Sequence, residues 1–223
     1  MSDDHGRTTG TDRLITWLTW AVLLFGLWLW GRGLTGVPHT TDGPATGNLF
    51  GLAPAQAARL PSPATPLGAG AVPQRVDIPQ LGVQAPVVSR GLDARGAVDP
   101  PPFDQPGVVG WYGAGTTPGA SGAALLVGHV DTETRPAVFY RLSTLKPGET
   151  VRVVRSDGKV AQFVIDDVRV LPRAGFDARQ AYGPHRPGRA ELRLITCGGP
   201  FDRAAHSYTA NVVVSAYLTG TAG

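Results

Sequence analysis

The chain has a single cysteine, Cys197, and its thiol is the side chain best suited to attack a carbonyl carbon. Cys197 closes the alternating run Ala190-Glu191-Leu192-Arg193-Leu194-Ile195-Thr196, and Gly198-Gly199-Pro200 follows it as a turn signal that exposes the thiol. An unplaced lone cysteine is more often a small buried filler, so the neighbours decide. A thiol attacks as its thiolate and needs a base or a positive charge nearby. His129 ends the apolar run Ala123-Ala124-Leu125-Leu126-Val127-Gly128, and its imidazole can serve that need and then protonate a leaving amine. Arg203, six residues beyond Cys197, cannot act as a base, but its fixed charge can hold a carbonyl or an oxyanion. It reads equally as a surface arginine paired with Asp202. His206 lies in the same loop and rivals His129, without the strand-end context. Asp131 would share a side with His129 on an extended chain, either orienting the imidazole or capping the next turn. Tyr112, Thr132 and Thr196 complete a candidate groove.

Strands must position these groups. Arg75-Val76-Asp77-Ile78-Pro79 and Leu81-Gly82-Val83-Gln84-Ala85-Pro86-Val87 alternate, with prolines that favour an edge or a bulge. The run from Ala123 to His129 suits a strand buried on both faces. Thr150–Arg155 and Val160–Ile165 flank Asp157-Gly158, a hairpin turn signal, and Val168–Leu171 prolongs the alternation. On the run ending at Cys197, period two sets Leu192, Leu194 and Thr196 on one face and Arg193, Ile195 and Cys197 on the other. Asn211–Leu218 reads as a last strand. Short helices are expected at Arg135–Leu142 and Asp177–Tyr182. Many short strands between glycine and proline turns imply an all-β barrel or sandwich of about 150 residues.

The rest of the chain is different in kind. Leu14–Trp30 is a run of seventeen residues without charge, and it holds four of the five tryptophans. As a helix it spans about 25 Å, the short end of what a bilayer core demands. It exceeds a usual signal-peptide core, and no small-x-small cleavage pattern follows closely. The expected plan is a cytoplasmic tail over 1–13, a transmembrane anchor over 14–31, a flexible Pro/Gly/Ala-rich linker over 32–73 and a catalytic domain over 74–223. An exterior domain would meet an oxidising medium, where an unpaired thiol is a liability and its presence suggests use. The 30 glycines and 20 prolines divide between linker and turns. One cysteine excludes an internal disulfide and a multi-cysteine metal site. Asp166-Asp167 reads as a solvated strand end, so neither metal nor cofactor is expected. A net charge of +3 with no dense basic run argues against a nucleic-acid partner.

Leu194-Ile195-Thr196-Cys197 resembles the strand-end signature of sortases, the membrane-anchored cysteine transpeptidases of Gram-positive cell surfaces, and Leu126-Val127-Gly128-His129-Val130-Asp131-Thr132 looks like their histidine motif. Thr196-Cys197-Gly198-Gly199-Pro200-Phe201-Asp202, then Ser207-Tyr208, then Asn211-Val212-Val213-Val214 is similar to the actinobacterial group called class F. The resemblance covers roughly Arg75 to Leu218. It implies an eight-stranded β-barrel with a few short helices, on whose surface groove Cys197, His129 and an arginine converge. It further implies cleavage of an LPXTG-like sorting motif at Thr–Gly through a Cys197 thioester, with His129 protonating the departing amine. The implied partners are sorting-motif surface proteins, a cell-wall precursor amine as acceptor, and the membrane, with a monomeric extracellular catalytic domain. In the better-known classes the arginine stands at the start of the last strand. Here that neighbourhood reads Tyr208-Thr209-Ala210-Asn211, which leaves Arg203 as the nearest arginine. Two other readings stay open: a non-catalytic tethered barrel that binds wall polymer or a surface partner, and a cysteine hydrolase that does not transfer.

Overall fold

Alternating apolar residues cannot bury one face of a strand alone, and here eight strands solve the problem by closing on themselves. The computed structural model describes residues 60–222 with the exception of Arg95. The expected tail, the anchor and the linker up to residue 59 lie outside the described residues. Among the described residues no helix is long and apolar enough to cross a membrane.

The strands are β1 (Pro73–Ile78), β2 (Val83–Arg90), β3 (Val109–Tyr112), β4 (Gly122–Val127), β5 (Thr150–Arg155), β6 (Val160–Pro172), β7 (Ala190–Asp202) and β8 (Ser207–Ala222). They form a closed barrel in the order β1-β2-β3-β4-β7-β8-β6-β5, and β1 pairs with β5 to complete it. Two neighbours run parallel, β2 with β3 and β4 with β7. Val76, Ile78, Leu126, Val153, Phe163, Leu192, Leu194 and Val214 fill the interior with no exposed surface. A second apolar cluster lies outside the barrel wall: Leu125, Val127, Ile195 and Val213 pack under Ala181, Phe176 and Tyr182 of the β6–β7 crossover. The crossover carries one short helix, α1 (Ala178–Tyr182), started by Asp177, whose carboxylate accepts from the Arg179 and Gln180 N–H groups at 2.9 and 3.3 Å.

Several elements differ from expectation. β6 is one strand rather than two, because Asp166 is absorbed in a bulge between Ile165 and Asp167. β7 continues through Gly198-Gly199-Pro200 to Asp202. The expected turn is a register shift between Gly198 and Phe201, with Gly199 at φ +75°. Arg135–Leu142 is not a helix: Pro136 bridges back to Asp131, and only Leu142–Thr144 forms a 3₁₀ turn. β3, four residues inside a glycine- and proline-rich stretch, carried no clear strand signal. The last part of the expected linker, residues 60–72, lies along the barrel. Ala64 N–H donates to Leu218 O at 2.9 Å and Leu67 N–H to Gly119 O at 2.7 Å, while Tyr217 Oη donates to Pro61 O at 2.6 Å. Buried Arg155 reaches the same strap, donating to Gly68 O at 2.9 Å.

Candidate active site

The parallel pairing of β4 with β7 builds the centre of the site. Its register sets Leu126 against Leu194 and Val127 against Ile195, and Gly128 N–H continues the ladder onto Ile195 O at 3.1 Å. Two residues past the last pair, Val127–Ile195, His129 and Cys197 both reach the wall of one cavity. Gly128 is required there, since a Cβ on it would lie 2.7 Å from the Phe139 ring and 2.8 Å from Val138 Cγ1. On β7 the side chains alternate as the sequence demands. Leu192 and Leu194 enter the interior, Ile195 joins the outer cluster, and Cys197 follows on the outer side, half-buried.

Cys197 and His129 open into one cavity of about 1140 Å³, whose wall also includes Phe103, Asp131, Arg173, Phe201 and Tyr208. Burial pushes the Cys197 thiol above its ordinary value; the charge of Arg173 opposes that shift and the charge of Asp131 adds to it. The resting thiol is therefore protonated at neutral pH. The Nε2 of His129 lies 2.6 Å from the carbonyl oxygen of Pro101, which can only accept, so Nε2 carries the hydrogen. In the neutral ring Nδ1 is then the basic nitrogen. Phe103 stacks on the imidazole with centroids 4.1 Å apart and planes 21° from parallel. Opposite them, Tyr208 donates its hydroxyl to the Asp131 carboxylate. That bond, with smaller contributions from burial and from the Asp131 charge, pushes the Tyr208 phenol up to about 12.

The expected site residues fall into two groups. Cys197, His129, Asp131 and Thr132 share the cavity wall, as does His206, at φ +46° in the β7–β8 turn. Asp131 serves Tyr208, and no hydrogen bond joins it to His129 among the described residues. Thr132 caps its own turn, its Oγ1 accepting from Arg135 N–H at 3.2 Å. Tyr112, Thr196 and Arg203 are not part of the wall. Tyr112 packs against the outer apolar cluster, and Thr196, 4% exposed, sits on the face of β7 opposite Cys197. Arg203 is exposed in the β7–β8 turn. Its neighbour Asp202 caps that turn, accepting from Ala204 and Ala205 N–H at 2.8 and 3.1 Å. Sequence reasoning missed Arg173 and Phe103. Arg173 is 24 positions before Cys197, and only the pairing of β6 with β8 brings it to the cavity. Among the described residues no cluster of His, Cys, Asp or Glu could hold a metal ion.

Residues 76–219 match the sortase domain family. No curated protein sequence matches the chain. Among solved structures, SrtA sortase from Actinomyces oris aligns with a TM-score of 0.53 at 18% identity, over 74% of this chain and 89% of that one. Sortase C-1 from the same organism aligns at 0.50 and 22% identity, over 66% and 73%. A lid mutant of sortase A from Corynebacterium diphtheriae aligns at 0.50 and 17%, over 69% and 73%. These structures share the barrel, and the family match extends over more than half of the sequence. The chain therefore belongs to the sortase family, whose members are generally cysteine transpeptidases that act on surface proteins.

Proposed function

We propose that this chain is a class F-like cysteine transpeptidase that cleaves an LPXTG-like sorting motif at Thr–Gly and transfers the acyl group to a cell-wall amine. The observation that supports this reading is that β4 and β7, paired up to Val127 and Ile195, lead to His129 and Cys197 on the wall of one open cavity. The buried thiol gives its proton to the basic nitrogen of His129, and Cys197 Sγ adds to the threonine carbonyl. When the C–N bond breaks, the imidazolium returns the proton to the departing glycine amine, leaving a thioester on Cys197. An incoming amine then adds to the thioester, loses a proton to His129 and releases the thiolate. The positive charge that carbonyl attack calls for has two candidate sources, Arg203 in the exposed turn and Arg173 in the cavity wall. The apolar segment over 14–31 supports a single-pass anchor with the N-terminus cytoplasmic and the barrel outside.

The test uses the full chain in detergent with a library of LPXTG-type peptides, read by mass spectrometry. The expected result is a thioester on Cys197 and, with an amine acceptor present, a joined product. Cys197→Ala should show neither cleavage nor adduct while its circular dichroism is unchanged. Cleavage by Cys197→Ala would overturn the mechanism. Absence of any adduct across the library would favour the binding barrel, and cleavage without joining would favour a hydrolase. His129→Gln should lower thioester formation by about 10²–10⁴-fold, the usual contribution of a positioned acid–base group. A normal rate there, with His206→Gln inactive, would transfer the role to His206.

A further inference from the structure

Two guanidinium groups enter the cavity wall, those of Arg135 and Arg173, and they are not equivalent. Arg135 belongs to the turn capped by Thr132, and its charge does not figure among those acting on Cys197. Arg173 is the first residue beyond β6. Its N–H donates to Thr209 O at 2.9 Å and its Nη1 donates to Tyr208 O at 3.3 Å, so both ends of the residue are tied to the start of β8. The registers then fix where it stands. Leu171 pairs with Asn211, which pairs with Cys197; Pro172 pairs with Ala210, which pairs with Gly198. Arg173 thus leaves β6 one step past the row that holds Gly198, and its side chain reaches Tyr208 O on the wall of the cavity that Cys197 also lines. Among the described residues it forms no ion pair with the three acids of the same wall, Asp104, Asp131 and Glu133, and Asp131 accepts the Tyr208 hydroxyl. The result is a guanidinium outside any ion pair, on the wall of the cavity that holds the nucleophile and with its charge acting on the thiol, in a chain whose last strand begins without arginine.

We propose that Arg173, supplied from the end of β6, is the cation of this site that stabilises the Cys197 thiolate and the oxyanion formed when Sγ adds to the substrate carbonyl. The assignment rests on the acyl-transfer reading above. It moves the positive charge from the strand after the nucleophile to the strand on the far side of β8, with Tyr208 O as the tether that aims the guanidinium. The group forms no covalent bond: it donates N–H hydrogen bonds to an oxygen whose charge grows during attack, in a setting where such a donor is worth about 10²–10³ in rate.

The experiment compares the full chain in detergent with its Arg173→Ala, Arg173→Lys and Arg203→Ala forms, by thioester formation and by the pH dependence of Cys197 alkylation with iodoacetamide. Arg173→Ala should lose 100-fold or more in the acylation rate, and its alkylation should move to higher pH. Arg173→Lys should restore the alkylation profile but only part of the acylation rate, because a point charge replaces a planar fork. A merely structural role would move neither profile. Arg203→Ala should lose at least tenfold less than Arg173→Ala. An Arg173→Ala protein that acylates at the parent rate, or an Arg203→Ala protein that shows the larger loss, overturns the proposal. If the parent chain forms no thioester, the acyl-transfer reading fails separately. The alkylation arm then still decides: an unshifted Arg173→Ala profile removes Arg173 as the thiolate's cation, and a shifted one retains it.

Discussion

At the residue scale the thiol and the imidazole are each held in a resting form that the reaction must disturb. The Cys197 thiol is kept protonated by burial, and His129 is pinned at Nε2 by Pro101 O beneath the Phe103 ring. Phe103 is itself 67% exposed, so little apolar area holds it in place, and a ligand entering the cavity can displace it at small cost. Phe103→Ala should therefore uncover the imidazole and raise the rate of His129 carbethoxylation by diethylpyrocarbonate severalfold, measured by peptide mass mapping. An unchanged rate would mean that the ring does not screen His129 in solution. Cys197 and His129 were legible in the sequence because each sits two residues past an apolar strand residue, Ile195 and Val127, that strand periodicity makes visible. Arg173 was not, because its place depends on which strands pair, and nothing in the spacing of Pro172-Arg173 records that β6 lies beside β8.

At the scale of elements, the segment that misled sequence reading is also the one that aims the nucleophile. Gly198-Gly199-Pro200 has the composition of a turn, yet β8 continues opposite it and holds it in the sheet as a bulge. Gly199 at φ +75° faces Ala210, and a Cβ there would lie 2.9 Å from both Ala210 Cβ and Thr209 Oγ1. Those atoms belong to the stretch of β8 that tethers Arg173. Gly199→Ala therefore pays for left-handed backbone, about 1–2 kcal/mol, and must also displace β8. The expected outcome is a melting temperature lower by roughly 2–8 °C together with slower thioester formation. Gly220→Ala, also in β8 but with open space around its Cβ, is the control and should leave both unchanged. Equal effects at the two positions would argue against the bulge as a positioning device. The hairpin at Asp157-Gly158 and the capped helix α1 show the opposite case: where one local signal suffices, the sequence reading and the structure agree.

At the scale of the whole molecule, the β6–β7 crossover links the site to the stability of the barrel. It begins at Arg173, covers the outer face of β7 and is fastened by Glu191, 2% exposed. Burial alone would raise that carboxyl. The N–H groups of His185 and Arg186, donating at 2.9 and 3.0 Å, together with the Arg193 guanidinium, outweigh burial and hold it below the usual carboxylate range. Arg193, with no exposed surface, also donates to Gly183 O at 2.9 Å, so the same ion pair grips the crossover at two points. A carboxyl depressed in the folded state contributes stability that is fully present above its unfolded value, about 4.3, and is lost as pH falls through the folded value. Asp166, pushed up chiefly by burial, works in the opposite direction and offsets part of that loss. Glu191→Gln leaves the buried Arg193 charge without its partner, which should cost about 3–5 kcal/mol at pH 7. As pH falls below about 4.3 the parent chain loses this contribution progressively, so the two urea midpoints should draw closer. A midpoint difference that stays constant from pH 7 to pH 3 would show that Glu191 fastens the crossover by shape rather than by charge.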